Sequence, residues 1–333
     1  MGPKKLKERL VQYAKKGYPV LIKGAPGVGK SDIVEQAAKE IDYDMILTHP
    51  VVSDPIDFKG QPCVVEGKDG KKRAEFLPFG DLRKMMYAKH PTIVFIDDLG
   101  QAPAAVQAAC MQLLLARQIN GKKISDNITF LAATNRRQDR AGVTGILEPV
   151  KSRFYNIYEL QPEKDDWIEW ALAHDMPEEV IGFVNFRPDL LCTEEATSDI
   201  VNHPCPRTLA HAGDTIKMGL TSMEDLSGVV GEGCAVELTG FMKVFRELPS
   251  IDAIIMDPDS APVPTDPSAQ YAVVAALVGK VSKQNVKRIF QYGYRMPGPF
   301  SILLAKDSIR KDKEIQHTKT FIEWCQIHSD VLL

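Results

Sequence analysis

An α/β fold is predicted for the first half of this chain and an all-helical one for the second, on three observations. Up to about residue 160, short apolar runs of strand type alternate with segments whose apolar residues recur at helical spacing. A glycine-rich octapeptide, Gly24-Ala-Pro-Gly-Val-Gly-Lys-Ser31, joins the first strand run to the first helical one. From Pro162 onward the strand runs disappear and helical patterns follow one another. Alternation of the first kind calls for a parallel sheet with helices on both faces, an αβα sandwich.

The strand candidates are 19–23, 44–48, 92–96, 128–133 and 154–158, which together make a parallel five-stranded sheet. Helices are expected at 32–41, 81–89 and 103–116. The first of them carries Ile33, Val34, Ala37, Ala38 and Ile41 on one face. In the second half, helical patterns cover 164–173, 177–185, 207–218, 233–247, 270–281 and 315–326. Proline-rich punctuation at 257–267 separates the last helices from the rest and reads equally as a linker or as an ordered strap. The expected organisation is therefore a sandwich over 1–160, a helical domain over 161–250 and a helical C-terminal extension over 251–333. Trp167 and Trp170, Met85-Met86 and Leu113-Leu114-Leu115 read as helix-buried apolar faces.

Bulk properties narrow the function classes. At 333 residues the chain is long enough for two domains, and with 44% hydrophobic and 26% charged residues its composition is that of a globular protein. A formal net charge of −3 argues against a general polyanion binder. The six cysteines form no C-x-x-C pair, so buried reduced thiols are expected rather than a disulfide framework or zinc site. The seven histidines show no metal-ligand spacing. No apolar stretch of signal-peptide or membrane length follows the basic N-terminus, and the expectation is a cytoplasmic protein with no membrane partner.

The octapeptide has the spacing of a phosphate loop, G-x-x-x-x-G-K-[ST], in the strand–loop–helix context that the motif needs. Gly24, Gly27 and Gly29 let backbone N–H groups turn toward phosphate oxygens at the positive end of a helix, with Ala25, Pro26 and Val28 between them. Lys30 is placed to reach the β- and γ-phosphates and Ser31 to ligate Mg²⁺. ATP and Mg²⁺ are thus the expected cofactors of a P-loop NTPase sandwich. Ile93-Val-Phe-Ile-Asp-Asp98 is an apolar strand ending in two carboxylates: Asp97 suits the metal's hydration shell and Asp98 the polarisation of a lytic water. Asn135 ends the strand at 128 and can hold that water or touch the γ-phosphate. Arg153, before the last strand, and Arg207, opening a helix of the second half, can neutralise γ-phosphate charge.

Taken in order, the phosphate loop, Asp-Asp strand, strand-terminal Asn, Ser152-Arg-Phe154 and Pro206-Arg207 resemble the AAA+ ATPases, and within them the MoxR branch. Two passages carry the closer likeness. Residues 57–79, with a turn at Gly67-Lys-Asp-Gly70, resemble a hairpin inserted in the second helix, and 117–124 a hairpin before the Asn strand. The resemblance covers roughly residues 1–250. It implies that 161–250 is a helical lid, that the chain forms a homo-oligomeric, hexameric ring, and that Arg153 acts on a neighbouring subunit while Arg207 acts within its own. It also implies a chaperone-like remodeller of a protein client, working with a partner that carries a von Willebrand factor A domain. One departure stands out: the family places Glu where this chain has Asp98. The carboxylate is one methylene shorter, and misplacement of about 1 Å can cost around a hundredfold in rate. Thr48 matches the residue that holds the catalytic carboxylate inactive in relatives.

Two other readings remain open. Lys68, Lys71, Lys72 and Arg73 at one hairpin tip and Lys122 and Lys123 at the other could track a nucleic-acid backbone in a motor. A nucleotide-gated scaffold with weak hydrolysis would agree with Asp98.

Overall fold

The computed structural model describes residues 1–67, 69–139, 145–193 and 199–328. Contacts divide them into two compact units, Met1–Gln161 and the residues from Pro162 onward. The first unit runs α1 (Pro3–Ala14), β1 (Val20–Lys23), α2 (Lys30–Glu40), β2 (Asp44–Thr48), α3 (Pro55–Lys59), β3 (Gln61–Glu66), β4 (Lys72–Leu77), α4 (Gly80–Tyr87), β5 (Thr92–Ile96), α5 (Ala104–Ala116), β6 (Gln118–Ile119), β7 (Lys122–Lys123), β8 (Ile128–Thr134), α6 (Glu148–Lys151) and β9 (Asn156–Glu159). Five strands make one parallel sheet in the order β2-β5-β8-β1-β9.

β5 and β8 are buried along their whole length. Both faces of the sheet are covered by helices, which is why these strands read as unbroken apolar runs rather than alternating ones. On one side Val94, Ile96, Phe130 and Ala132 pack with Phe58, Leu82, Met85, Val106 and Leu113. On the other, α1 and α2 bury Leu6, Leu10, Ile33, Val34 and Ala37. Helix α1 is absent from the sequence expectations, although Pro3 at its start and the spacing of Leu6, Leu10, Val11 and Ala14 signal it. The strand expected at 154 begins at Asn156, because Arg153 and Phe154 close the turn after α6 with N–H bonds to Val150 O and Lys151 O.

Of the triple-leucine run, Leu113 and Leu114 are buried but Leu115 is 62% exposed. Three consecutive helical residues sweep about 200° around the axis, so they cannot share one face. For the same reason Met85 is core while Met86 packs at its edge. Cys110, Cys205 and Cys234 are buried, whereas Cys63, Cys192 and Cys325 are only half-buried, which corrects the expectation of buried thiols throughout. Burial pushes the Cys110 and Cys234 thiols up to about 12.

Both inserted hairpins form. β3 and β4 pair antiparallel from Gln61↔Leu77 to Glu66↔Lys72, and β6 and β7 from Gln118↔Lys123 to Ile119↔Lys122. Arg73 is paired with Asp69, and Lys122 Nζ lies 3.3 Å from Glu75 Oε2, so the basic tips are interleaved with carboxylates. Lys68 lies outside the described residues.

The second unit is helical throughout its described residues: α7 (Lys164–Ala173), α8 (Glu178–Phe186), α9 (Pro206–Lys217), α10 (Met223–Val230), α11 (Glu232–Arg246), α12 (Ile251–Met256), α13 (Pro267–Gly279), α14 (Val286–Gly293), α15 (Gly298–Lys311) and α16 (Lys319–Ile327), with 3-10 turns at Pro188–Leu191 and Lys313–His317. One apolar cluster takes in Trp167, Phe183, Phe241, Leu277, Tyr292 and Trp324, so the helices before and after residue 250 share a core. Trp167 is buried and donates from Nε1 to Pro206 O at 3.3 Å; Trp170 packs at the rim and stacks on His174. Helix α13 is apolar on every side and lies at the centre of the unit. It starts three residues before the expected 270, because the Asp266 side chain caps the N–H groups of Ser268 and Ala269 with Pro267 in the first turn.

The proline-rich stretch is an ordered strap. Arg295 Nη1 donates to Pro258 O and Ala261 O at 2.6 and 2.7 Å, Tyr292 Oη to Pro262 O at 2.8 Å, and Gln270 Nε2 to Pro264 O at 2.8 Å. Prolines leave carbonyls without N–H partners of their own, and side chains from α13, α14 and the turn after α14 satisfy them.

A buried charge cluster joins α7, α8 and α15. Asp307, 1% exposed, accepts from Arg310 Nη1 at 2.7 Å and from Asn185 Nδ2 at 3.1 Å, while Arg310 Nη2 lies 3.0 Å from Asp165 Oδ2. Lys164 reaches both Asp165 and Asn185 at 3.3 Å. Desolvation raises the Asp307 carboxyl above its ordinary value, against the pull of Arg310. A carboxyl raised on folding binds more protons in the native state, so its contribution to stability falls as pH climbs from the unfolded carboxylate value through the folded one. Thermal melts from pH 3.5 to 7 should therefore show the wild type losing ground to Asp307→Asn with rising pH. A wild-type advantage that grows over that range contradicts a raised carboxyl.

Candidate active site

The phosphate loop leaves β1 in the middle of the sheet and enters α2 directly. Gly24 N–H donates to Thr134 O on the neighbouring strand at 3.2 Å. A Cβ at Gly24 would stand 3.1 Å from Leu160 O and 3.3 Å from a Val28 methyl, so the first position of the motif has little room for a side chain. Gly27 and Gly29 have φ of 74° and 89°, left-handed conformations that turn successive N–H groups toward one concave face. Gly29 is also the N-cap of the 11-residue α2. The loop amides and the positive end of the helix thus face the same space, which fits phosphate oxygens.

Lys30 is 8% exposed, and its ammonium is fully engaged. Nζ donates to Gly24 O at 3.1 Å, Ala25 O at 2.9 Å and Asn135 Oδ1 at 2.6 Å. Ser31 Oγ donates to Asp97 Oδ2 at 2.7 Å. Asp97 is held at the end of β5 by its own N–H to Thr48 O at 3.0 Å, and its Oδ1 accepts from Asp98 N at 3.0 Å. A hydroxyl and a carboxylate in contact beside a phosphate loop are a hard-oxygen donor set of the kind Mg²⁺ takes, with phosphate and water completing its shell. Ser31 and Asp97 are the residues that would hold the ion.

Asp98 and Asn135 come together. Asn135 is 9% exposed and donates from Nδ2 to Asp98 Oδ1 at 3.0 Å and to Gln101 Oε1 at 3.4 Å. Lysine only donates, so contact with Lys30 fixes the amide with its oxygen toward the ammonium and its NH₂ toward the acids. Asp98 itself sits at φ 54°, ψ 34° and opens the 3-10 turn Leu99–Gln101. Asp tolerates the left-handed region better than Glu, a local reason for the shorter acid at this position. Thr48 is buried at the end of β2 and gives its carbonyl to Asp97. Gln101 is the site residue that sequence reasoning missed. Its only signal was its place three residues after Asp98, visible once the chain there is known to turn.

Arg153 makes no hydrogen bond to this cluster among the described residues. Arg153 follows α6, half-buried; Nη1 donates to Ser152 Oγ at 3.0 Å, and its buried Nε has no hydrogen-bond partner among the described residues. Arg207 belongs to the second unit, exposed in the first turn of α9. Among the described residues no helix is long and apolar enough to cross a membrane.

Residues 20–161 match the family model described as ATPase family associated with various cellular activities (AAA). The chain is 26% identical over 176 residues to midasin from Giardia intestinalis, a match covering 50% of this chain and 4% of that protein; the chain spans only a small part of the relative's length. Among solved structures it is similar to a RuvB mutant from Thermotoga maritima, with a TM-score of 0.45, 18% identity and coverage of 82% and 80% of the two chains. It is also similar to NtrX from Brucella abortus, with a TM-score of 0.42, 13% identity and coverage of 91% and 67%.

Proposed function

Residues 20–161 are an AAA-family ATPase domain, and from that premise we propose that this chain is a Mg²⁺-dependent ATPase of MoxR type that remodels a protein client. The observation that carries the reading is the contact chain Lys30–Asn135–Asp98 beside the Ser31–Asp97 pair. It gathers at the carboxyl ends of β1, β5 and β8 a phosphate-binding cation, a metal-binding pair, a base and a polar amide to orient water. The loop amides and Lys30 bind the phosphates, and Ser31 and Asp97 would hold Mg²⁺, which would supply neutralisation of phosphate charge. Asp98 accepts a proton from the attacking water, and Asn135 orients that water.

Arg153, beside the β9 edge of the sheet and with its Nε unbonded among the described residues, is proposed to act on the nucleotide of a neighbouring subunit in a hexameric ring. Arg207 is proposed to close from a lid over 161–250, with 251–333 as an extension of it. The inserted hairpins at 61–77 and 118–123 support the MoxR reading, and with it a von Willebrand factor A-domain partner and a cytoplasmic setting. They do not favour nucleic acid, because Arg73 and Lys122 are paired with acids.

Mass photometry without nucleotide, with ADP and with a slowly hydrolysed ATP analogue, alongside phosphate release, tests the proposal. A closed ring with the analogue and turnover of ATP are expected, with no stimulation by single- or double-stranded DNA at low salt. A monomer in all three states that releases no phosphate overturns it. DNA-stimulated turnover moves the reading to a motor.

A further inference from the structure

We propose that Gln101 is a positioning residue for the Asn135 carboxamide, the acceptor that keeps this amide in place when ATP draws Lys30 away from it and Asp98 is at work. The inference rests on the ATPase reading above. Its starting point is the saturation of Lys30. The ammonium has three N–H groups, and among the described residues it donates to two loop carbonyls and to Asn135 Oδ1. A phosphate oxygen that engages Lys30 must displace one of them, and a charged acceptor outcompetes a neutral one. The two carbonyls belong to the backbone of the loop. Asn135 is a side chain and is the partner that can swing.

Once its oxygen is released, Asn135 is held only through Nδ2. That group faces two acceptors, Asp98 Oδ1 at 3.0 Å and Gln101 Oε1 at 3.4 Å. Asp98 must then serve the water. A 9% exposed amide with no acceptor on its NH₂ is costly. Gln101 is neutral and does not compete for the water's proton, so it can take over the amide without altering the base.

The local backbone delivers Gln101 to this place. Asp98 in its left-handed conformation starts the turn Leu99–Gln101, and Gln101 N–H donates to Asp98 O at 3.0 Å. Leu99 is fully buried in the core and anchors the turn. The side chains of Asp98 and Gln101 therefore approach the same amide from one rigid turn. The resting arrangement couples cation, amide and base, so that the arrival of the third phosphate is registered at Asp98 through Asn135.

Gln101→Met keeps length and removes the acceptor; Gln101→Glu keeps the acceptor and adds charge beside Asp98. Equilibrium binding of ADP and of a slowly hydrolysed ATP analogue is read for each, then phosphate release. Gln101→Met should weaken the analogue by about 3- to 10-fold while ADP stays within about twofold, raise KM for ATP by a similar factor, and lower kcat by roughly tenfold. Gln101→Glu, which keeps an acceptor for the amide, should retain analogue affinity better than Gln101→Met. Equal loss of ADP and analogue affinity in Gln101→Met, or no loss of either, overturns the proposal. A wild type that binds the analogue but releases no phosphate sinks the ATPase reading, and the ratio of the two affinities still decides the role of Gln101.

Discussion

Lys30→Ala abolishes nucleotide-dependent behaviour: affinity for ATP falls by about 100-fold or more, and ATP no longer raises the melting temperature. The size follows from two charge-assisted hydrogen bonds to phosphate, each about 1.5–3 kcal/mol, where a factor of ten in affinity is 1.4 kcal/mol. The fold itself should survive. Removing the ammonium frees Gly24 O, Ala25 O and Asn135 Oδ1, and the half-buried Ala25 leaves water a route to the loop. It also relieves the desolvation of a cation that is 8% exposed. The two costs oppose each other, so the melting temperature without nucleotide should change little. Calorimetric titration together with thermal melts at saturating ATP analogue separates these effects. A Lys30→Ala protein that still binds the analogue with wild-type affinity refutes the phosphate-loop assignment.

Asp98→Asn cuts kcat by about 10²- to 10⁴-fold, the range for loss of a general base, and leaves binding of ATP intact. Binding is spared because the loop amides and Lys30, not Asp98, are the proposed phosphate ligands, and the Asn carbonyl can still accept from Asn135 Nδ2. Asn also tolerates the left-handed backbone at this position as Asp does, so the turn to Gln101 should persist. Single-turnover phosphate release by the wild type and the variant at equal nucleotide occupancy isolates the chemical step. This variant also separates an enzyme from a nucleotide-gated scaffold. If assembly and client activity persist in Asp98→Asn but are lost in Lys30→Ala, ATP binding alone is what the protein uses.

How far the site could be read beforehand depended on how local its parts are. The phosphate loop, the Asp97-Asp98 strand end and the Asn135 strand end are each contiguous motifs on adjacent elements. Their pairing needed only the parallel sheet that the alternation of patterns implies. The helix at Pro3–Ala14 carries equally local signals, Pro3 and the spacing of Leu6, Leu10, Val11 and Ala14, although basic residues lie between them. The 257–267 stretch was undecidable because its order comes from Arg295, Tyr292 and Gln270, far along the chain or on other elements. Gln101 was invisible for a related reason. Nothing in Asp-Asp-Leu-Gly-Gln says that Asp98 adopts a left-handed conformation and folds the glutamine back onto a strand end 34 residues away.

By itself, then, the sequence determined the groups on offer: a glycine-rich loop with the phosphate-loop spacing, a hydroxyl and a carboxylate proposed for the metal, a second carboxylate proposed as base and an amide, hung on a parallel sheet with a helical second half. Those are matters of residue type and short-range spacing, which local backbone physics enforces. Tertiary structure alone decided which of these groups touch. Lys30 is saturated by three acceptors, Asn135 bridges it to Asp98, and Gln101 waits on the far side of the amide. Such contacts depend on packing among strands remote in sequence and on a single backbone conformation at Asp98, and no periodicity encodes either.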